Sequence, residues 1–524
     1  MDKRVLIAVI LSMGILFFYP YLIQMIFPPQ QRPQAVHKEE AAPSPVNGAP
    51  AQTRAAVAAP APVKEDLTTV ETPLFKAGFT SLGGGVKSFE LKQYRSTLKA
   101  DSPVEDIANT VAMSNSFKTD IISNGVSESV TFQPSSNGLV LGDNDTGELT
   151  YTGTTKSGLR VEKKYFFTAG SYFIRTELKI DNASSHPFAG RADITLVSNL
   201  AGKDKYGYHT GPIIDTKEKL VRQTEKEARK SGTDRPRWIG LEDKYFLSAI
   251  IPKTDTPVSW VGSVLAADSS TASVQVPLSL APGAQAAYSY NTFLGPKEYD
   301  LLVKQKIGLE EAIEFGWFGF MAKPFLVVLN FFQRYLGNYG LAIILITVII
   351  KIIFYPLTKH SLNSMKEMSK IQPQLAALKE KYKDNKEKLN KEMMELYKRY
   401  KINPVGGCLP MILQIPVFIA LYEVLYVAIE LRHAPLFLWI HDLSDKDPYY
   451  ITPVIMGATM FIQQKMTPST VDPNQAKIML IMPVIFTFMF LNFPSGLVLY
   501  WLVNNVLSIA QQYYIQRAPS PAKA

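Results

Sequence analysis

The sequence predicts a multi-domain membrane protein: a six-span α-helical transmembrane core with a cytoplasmic helical hairpin, plus an all-β domain outside the membrane between the first span and the second. Three observations predict it. An apolar run opens the chain at Val5–Phe27, period-two alternation fills roughly 67–296, and five apolar segments follow from about Tyr335. The composition agrees: of 524 residues 47% are hydrophobic and 19% charged, as fits a chain divided between lipid and water. The net charge of +9 would suit a nucleic-acid binder, but the bases cluster in one segment of the membrane half. That distribution points to topology, and no direct nucleic-acid recognition is expected.

Lys3 and Arg4 precede the first apolar run, which is longer than a signal-peptide core and has no small-x-small site directly after it, so residues 1–27 are expected to be an uncleaved anchor with a cytoplasmic amino terminus. Residues 28–66, rich in Ala and Pro, bury too little apolar surface to fold and are a linker. Then "YFIRTELKI" alternates Ile174, Thr176, Leu178 and Ile180 with polar residues, and "SVQVPLSL" does the same with Val274, Val276, Leu278 and Leu280. Many such strands, separated by Gly, Asn, Asp and Pro, predict an antiparallel sandwich, closed by a helix in "EYDLLVKQKIGLEEAIEFG" to bound the domain at 67–316. In 317–334 and just beyond it, Phe325, Leu329, Phe332 and Leu336 lie near one helical face, as in a helix lying flat at the interface or one that extends the next span.

The core, 335–517, has apolar segments at about Tyr335–Leu357, Val405–Ile429, Tyr449–Gln464, Ile478–Phe493 and Gly496–Ile515. Between Thr358 and Pro404 stand twelve Lys or Arg against six acids, whereas Glu430–Tyr450 holds four acids and two bases. This bias places the first loop in the cytoplasm, the second outside, and both termini, including the 518–524 tail, inside. Within 358–404, Met368, Ile371, Leu375, Leu378 and Tyr382 follow heptad spacing, as do Leu389, Met393, Leu396 and Tyr400 beyond "KDNK". Two helices zipped as an antiparallel hairpin bury both stripes and present lysines outward, either as a solvated hairpin or as a docking arm.

Polar residues recur at helical spacing inside apolar segments. Thr347, Lys351, Tyr355 and Thr358 share a face of the second span; Trp501, Asn504 with Asn505, Ser508 and Gln512 share one in the last; Gln414, Thr459 and Gln463 add more. An ionisable group in such a run marks function by default. The competing expectation for Lys351 is that its stem snorkels to the interface, only five residues from Pro356, and Glu423 is a candidate ion-pair partner. A single cysteine, Cys408, excludes an intrachain disulfide, and six scattered histidines form no metal spacing, so neither metal nor cofactor nor catalytic constellation is expected. "GGGVKS" at Gly83–Ser88 lacks phosphate-loop spacing and reads as a turn.

"YPLTK" after the intramembrane cation, "NPVGGCLPMILQIPVFIALY", "ELRHAPLFLWIHDLSDKDPYYITPVIMG", "MPVIFTFMFLNFPSGLVLYWLVNN" and "QQYYIQR" closely resemble the YidC/Oxa/Alb family of membrane-protein insertases over about Phe315–Arg517. The long β-domain after a first anchor resembles the Gram-negative form, implying an inner-membrane location and a periplasmic domain of β-supersandwich fold. The resemblance implies an insertase and chaperone without nucleotide hydrolysis, acting on nascent membrane proteins in the lipid bilayer, alone or with the Sec translocon, with the hairpin as a contact for ribosomes. It also implies a hydrophilic groove open to cytoplasm and lipid: the family's groove arginine falls on Lys351, its glutamine on Gln414, and its substrate-contacting aromatic on Trp501, beside Tyr500. Lysine differs from arginine there in lacking the bidentate fork and in losing its proton more readily on burial. The rival classes are a secondary transporter or channel, which inverted repeats would support, and a tethered carbohydrate-binding module.

Overall fold

A computed structural model of the chain describes residues 65–99, 101–108, 115–199, 208–224, 227, 229–253, 258–266, 269–383, 385–400, 409–467 and 473–517. The expected anchor at 1–27, nearly all of the linker, Cys408 and the 518–524 tail lie outside the described residues.

Three sheets build the β-domain. The largest has nine strands in the order Leu220–Arg222, Gly211–Asp215, Trp238–Glu242, Phe246–Pro252, Gln285–Pro296, Phe173–Asn182, Leu159–Thr168, Thr146–Thr154 and Phe132–Pro134. A six-stranded sheet centres on the antiparallel pair Phe188–Asn199 and Ser269–Leu280, and lies against Gly211–Asp215 and Trp238–Glu242 of the first. A five-stranded sheet contains the one parallel pairing among the described strands, Leu67–Glu71 with Gly138–Val140. The period-two expectation holds residue by residue: Ile174, Thr176, Leu178 and Ile180 are buried, as are Val274, Val276, Leu278 and Leu280. "GGGVKS" is a turn entering a strand, with Gly83 and Gly84 at φ +69° and +56°. The Gly84 carbonyl accepts hydrogen bonds from Tyr165 and from the buried Lys163 Nζ (3.0 Å).

The predicted helix after the β-domain is broken in two. Helix α1, Tyr299–Val303, ends before Lys306 and Gly308, both at positive φ, and a 3-10 turn follows at Leu309–Ala312. The break serves an electrostatic clasp. Glu242, with a side chain 1% exposed, accepts from Lys297 Nζ (3.0 Å), Arg222 Nε (2.9 Å) and His209 Nδ1 (3.0 Å), while Arg222 and Lys297 each reach the Ala312 carbonyl at 3.2 Å. Burial raises the carboxyl, but Lys297, His209 and Arg222 overcome it and hold Glu242 down at about 2.

Among the described residues eight further helices follow: α2 Gly319–Leu336, α3 Tyr339–Lys370, α4 Gln372–Lys381, α5 Lys386–Arg399, α6 Leu409–Val427, α7 Ile451–Met466, α8 Pro473–Phe490 and α9 Ser495–Arg517. Helix α2 is amphipathic, but its buried face is Ala322, Leu326 and Leu329, with Phe325 and Phe332 half-buried and Leu336 exposed. Among the described residues α3 is the helix long and apolar enough to cross a bilayer; Leu413–Val427 and Met479–Phe490 are shorter apolar stretches. Asn338 caps α3, accepting from Leu341 N (3.1 Å) and donating to the Leu436 carbonyl (2.7 Å). Helix α3 passes through Pro356 and runs on to Lys370, because a proline removes one hydrogen bond that a long helix can forgo. The first hairpin stripe is therefore split at Ile371 between α3 and α4. Ile371, Leu375 and Leu396 form the packed centre with Leu378, Met393 and Tyr397; Tyr382 and Leu389 are half-buried outside it, and Tyr400 is exposed, donated to by Gln374 at 2.9 Å.

The loop after α6 joins the helices to the β-domain. Glu430 accepts from Tyr299 N (3.1 Å), Arg432 pairs with Glu105 (3.3 Å), and Lys244 lies over the Tyr426 ring at 4.4 Å.

Candidate functional site

Helices α3, α6, α7 and α9 pack together, and α9 carries the polar stripe into their midst. Polar groups away from water gain by pairing with one another, so the stripes meet. Lys351 Nζ donates to Ser508 Oγ (2.7 Å), and Ser508 Oγ donates in turn to the Asn504 carbonyl (2.7 Å). Gln414 Nε2 donates to Asn504 Oδ1 (2.6 Å) and Tyr500 Oη (3.3 Å). Three helices are thus tied by one hydrogen-bonded chain. Asn505 turns the other way, donating to Thr459 Oγ1 (3.4 Å), and Gln512 continues that side to Thr467 (3.4 Å).

A cavity of about 530 Å³ borders the chain, lined in part by Gln414, Asn504, Asn505, Ser508, Gln463 and Trp501. Trp501 closes it with an aromatic cluster, its ring 4.8 Å from Phe418, 5.3 Å from Phe490 and 6.0 Å from Phe486. Lys351 lines a separate recess of about 10 Å³ together with Gln414 and Asn504. The amine of Lys351 is held toward α9 by Ser508.

Three expectations change. Thr347 is buried and donates to its own helix at the Ile343 carbonyl (2.7 Å), so its hydroxyl is used internally. Tyr355 lines neither the cavity nor the recess. Glu423 is no partner for Lys351, because its carboxylate lies at the opposite end of α6 against Gly316, where an added Cβ would meet Oε1 at 2.7 Å. Sequence reasoning missed the aromatic cluster around Trp501 and a set of methionines in the cavity wall, since Phe and Met at helical spacing look the same in a packed core as in a cavity.

A β-sheet domain joined to apolar helices that enclose a hydrogen-bonded lysine and amides defines a membrane protein with a polar cavity in its helical core. Residues 67–328 match the family model described as the YidC periplasmic domain, and 331–522 match that of the 60Kd inner membrane protein. The membrane protein insertase YidC of Syntrophus aciditrophicus (strain SB) is 45% identical, covering 99% of this chain and 100% of its own. That of Geotalea uraniireducens (strain Rf4) is also 45% identical, over 99% of each chain. A crystal structure of an active YidC insertase, 20% identical, aligns over 86% of this chain and 95% of its own with a TM-score of 0.39. On the strength of the full-length relatives, the chain belongs to the YidC family of membrane protein insertases.

Proposed function

We propose that the polar chain and its cavity are the groove through which this insertase passes the polar flanks of nascent membrane proteins. In this reading residues 1–27 anchor the chain in the inner membrane, the β-domain is periplasmic, five spans within 335–517 form the core, and both termini and the 358–404 hairpin are cytoplasmic. The charge bias of the two loops supports that orientation. The hairpin, and the lysines it presents, is the surface offered to ribosomes; some substrates arrive through the Sec translocon.

The mechanism has three steps. A substrate's apolar segment meets the exposed apolar faces of α6 and α8; its polar flank enters the cavity, where Gln414, and Lys351 from the recess that shares Gln414 and Asn504 with it, offset lost hydration; the segment then moves into lipid as the flank is released outside. Moving an unpaired polar group into hydrocarbon costs several kcal/mol, so a path with donors lowers the barrier. Burial of the new apolar segment drives the process, and the membrane potential assists acidic flanks.

The observation that carries this is the Lys351–Ser508 and Gln414–Asn504–Tyr500 hydrogen bonding across three apolar helices. The test reconstitutes the purified protein with a short single-span substrate and compares Lys351→Arg, Lys351→Ala and Gln414→Ala. Lys351→Ala and Gln414→Ala are expected to slow insertion about tenfold, as loss of a hydrogen bond worth ~1.5 kcal/mol implies, and Lys351→Arg to retain most of it. Insertion by Lys351→Ala at the wild-type rate overturns the role of the lysine; wild-type failure in pure lipid overturns autonomous insertion.

A further inference from the structure

A second cavity, of about 570 Å³, lies where the β-domain meets the helices, and it shares no lining residue with the cavity around Gln414 and Trp501. Lys244 reaches it from the β-domain, Tyr422 and Tyr426 from the carboxy-terminal end of α6, and Asn492 and Phe493 from the turn between α8 and α9. The loop after α6 contributes Arg432, Asp442, Asp445 and Lys446.

This loop is held in shape. Ser495, at the start of α9, donates its N–H to the Asp445 carbonyl (2.7 Å) and its hydroxyl to the Asp442 carbonyl (2.6 Å). Asp442 Oδ1 accepts from Ser444 N and Oγ, both at 2.7 Å, and its Oδ2 stands 3.9 Å from His433 Nε2. The Lys244 ammonium sits among three tyrosine rings, 4.4 Å from Tyr426, 4.7 Å from Tyr245 and 5.4 Å from Tyr208. A site formed in advance spares a ligand the cost of ordering it.

The lining carries both signs of charge. Arg432 is committed to Glu105, and Asp243 accepts from Tyr245 N and Phe246 N in its own turn, which leaves Lys244 and Lys446 beside Asp442 and Asp445. Among the described residues Asp445 and Lys446, both exposed, form no ion pair. A simple anion is repelled by the two carboxylates and a simple cation by the two ammonium groups, whereas a small zwitterion satisfies both. The surroundings say what presents one. Leu438, in the same loop, is 70% exposed, and Phe488, one turn before Asn492, is 67% exposed. Large apolar side chains left bare next to a charged cavity fit the boundary between hydrocarbon and headgroups.

We propose that this cavity binds the phosphoethanolamine headgroup of a bilayer lipid, with the phosphate on Lys244 and Lys446 and the primary ammonium on Asp442 and Asp445. A primary ammonium offers three N–H donors to carboxylates, whereas a trimethylammonium calls for an aromatic cage, and the tyrosines here already surround Lys244. The inference rests on the reading that puts α6, α8 and α9 in the bilayer. A lipid held there bridges the β-domain and the loop after α6.

The test places the full chain in nanodiscs of equal parts phosphatidylethanolamine and phosphatidylcholine and identifies the lipid that stays bound by native mass spectrometry. Wild type is expected to retain phosphatidylethanolamine about tenfold over phosphatidylcholine, the margin of one charge-assisted hydrogen bond. Asp442→Asn with Asp445→Asn is expected to abolish the preference, and Lys244→Gln with Lys446→Gln to lower retention of both lipids. Equal retention of the two lipids by wild type, or a preference that the asparagine pair leaves unmoved, overturns the proposal. Glycerophosphoethanolamine, the headgroup without its acyl chains, is expected to displace the lipid only in large excess; displacement at equal concentration assigns the site to a free solute instead. Phe437→Trp is expected to add tryptophan emission that lipids brominated on their acyl chains quench, and absence of that quenching overturns the bilayer placement and the lipid source with it. None of these readouts depends on insertion, so the site stands or falls apart from the groove.

Discussion

Ser508 shows how one hydroxyl places a cation. Its hydrogen is committed to the Asn504 carbonyl one turn earlier, which leaves its lone pairs facing Lys351. A four-carbon stem otherwise samples many rotamers, so an acceptor at 2.7 Å selects the one that points to α9. Ser508→Ala is expected to release the amine, raising its reactivity toward a water-soluble amine reagent and lowering insertion about fivefold, the loss expected for ~1 kcal/mol. Ser508→Thr keeps the hydroxyl and is expected to restore both. Equal amine reactivity in Ser508→Ala and wild type rules out positioning by this residue. Gln414 depends less on a single contact, because its amide serves Asn504 and Tyr500 together.

At the scale of elements, the close approach of α7 and α8 rests on a missing side chain. A Cβ on Gly457 would lie 1.9 Å from Thr487 Oγ1, and Thr487 is itself tied to the Pro483 carbonyl at 2.8 Å. Small residues permit such contact where lipid supplies no hydrophobic drive. Gly457→Leu is expected to part the two helices and widen the cavity, seen as loss of a disulfide otherwise formed between cysteines introduced across the α7–α8 contact, with insertion reduced at least tenfold. Formation of that disulfide at the wild-type rate contradicts this packing role. The helices also show what the sequence makes legible. Lys351, Gln414, Asn504 and Trp501 could be found because a polar or aromatic residue at helical spacing in an apolar run is conspicuous. Thr347 and Tyr355 share that spacing yet do not join, since a threonine can satisfy itself on its own turn and a helix face is wider than any one cavity. Alternation gave away the strands, such as Phe173–Asn182, but not which of them would share a sheet, since their order depends on pairings between residues more than a hundred positions apart.

For the whole molecule, the clasp around Glu242 governs how the β-domain holds the segment that leads into α2. Glu242 titrates at about 2 when folded, below the ~4.3 of an unconstrained glutamate. A lowered carboxylate contributes stability that is complete above the unfolded value and is lost as pH falls through the folded one, so the window lies between about pH 4.5 and 2. The full chain in detergent is expected to lose melting temperature through that window. Glu242→Gln is expected to flatten the loss and to cost about 3–5 kcal/mol at neutral pH, because Lys297 stays buried without its carboxylate. A Glu242→Gln variant with the wild-type acid profile excludes the clasp as its source. Helix α3 has a different consequence at this scale. It runs for 32 residues, about 48 Å at 1.5 Å per residue, with its cap fastened to the loop at Leu436, Lys351 partway along and Met365 and Met368 near its far end. One continuous helix thus carries the loop contact, the amine and the base of the charged arm beyond Lys370, so a load applied to that arm is expected to be felt at the pocket.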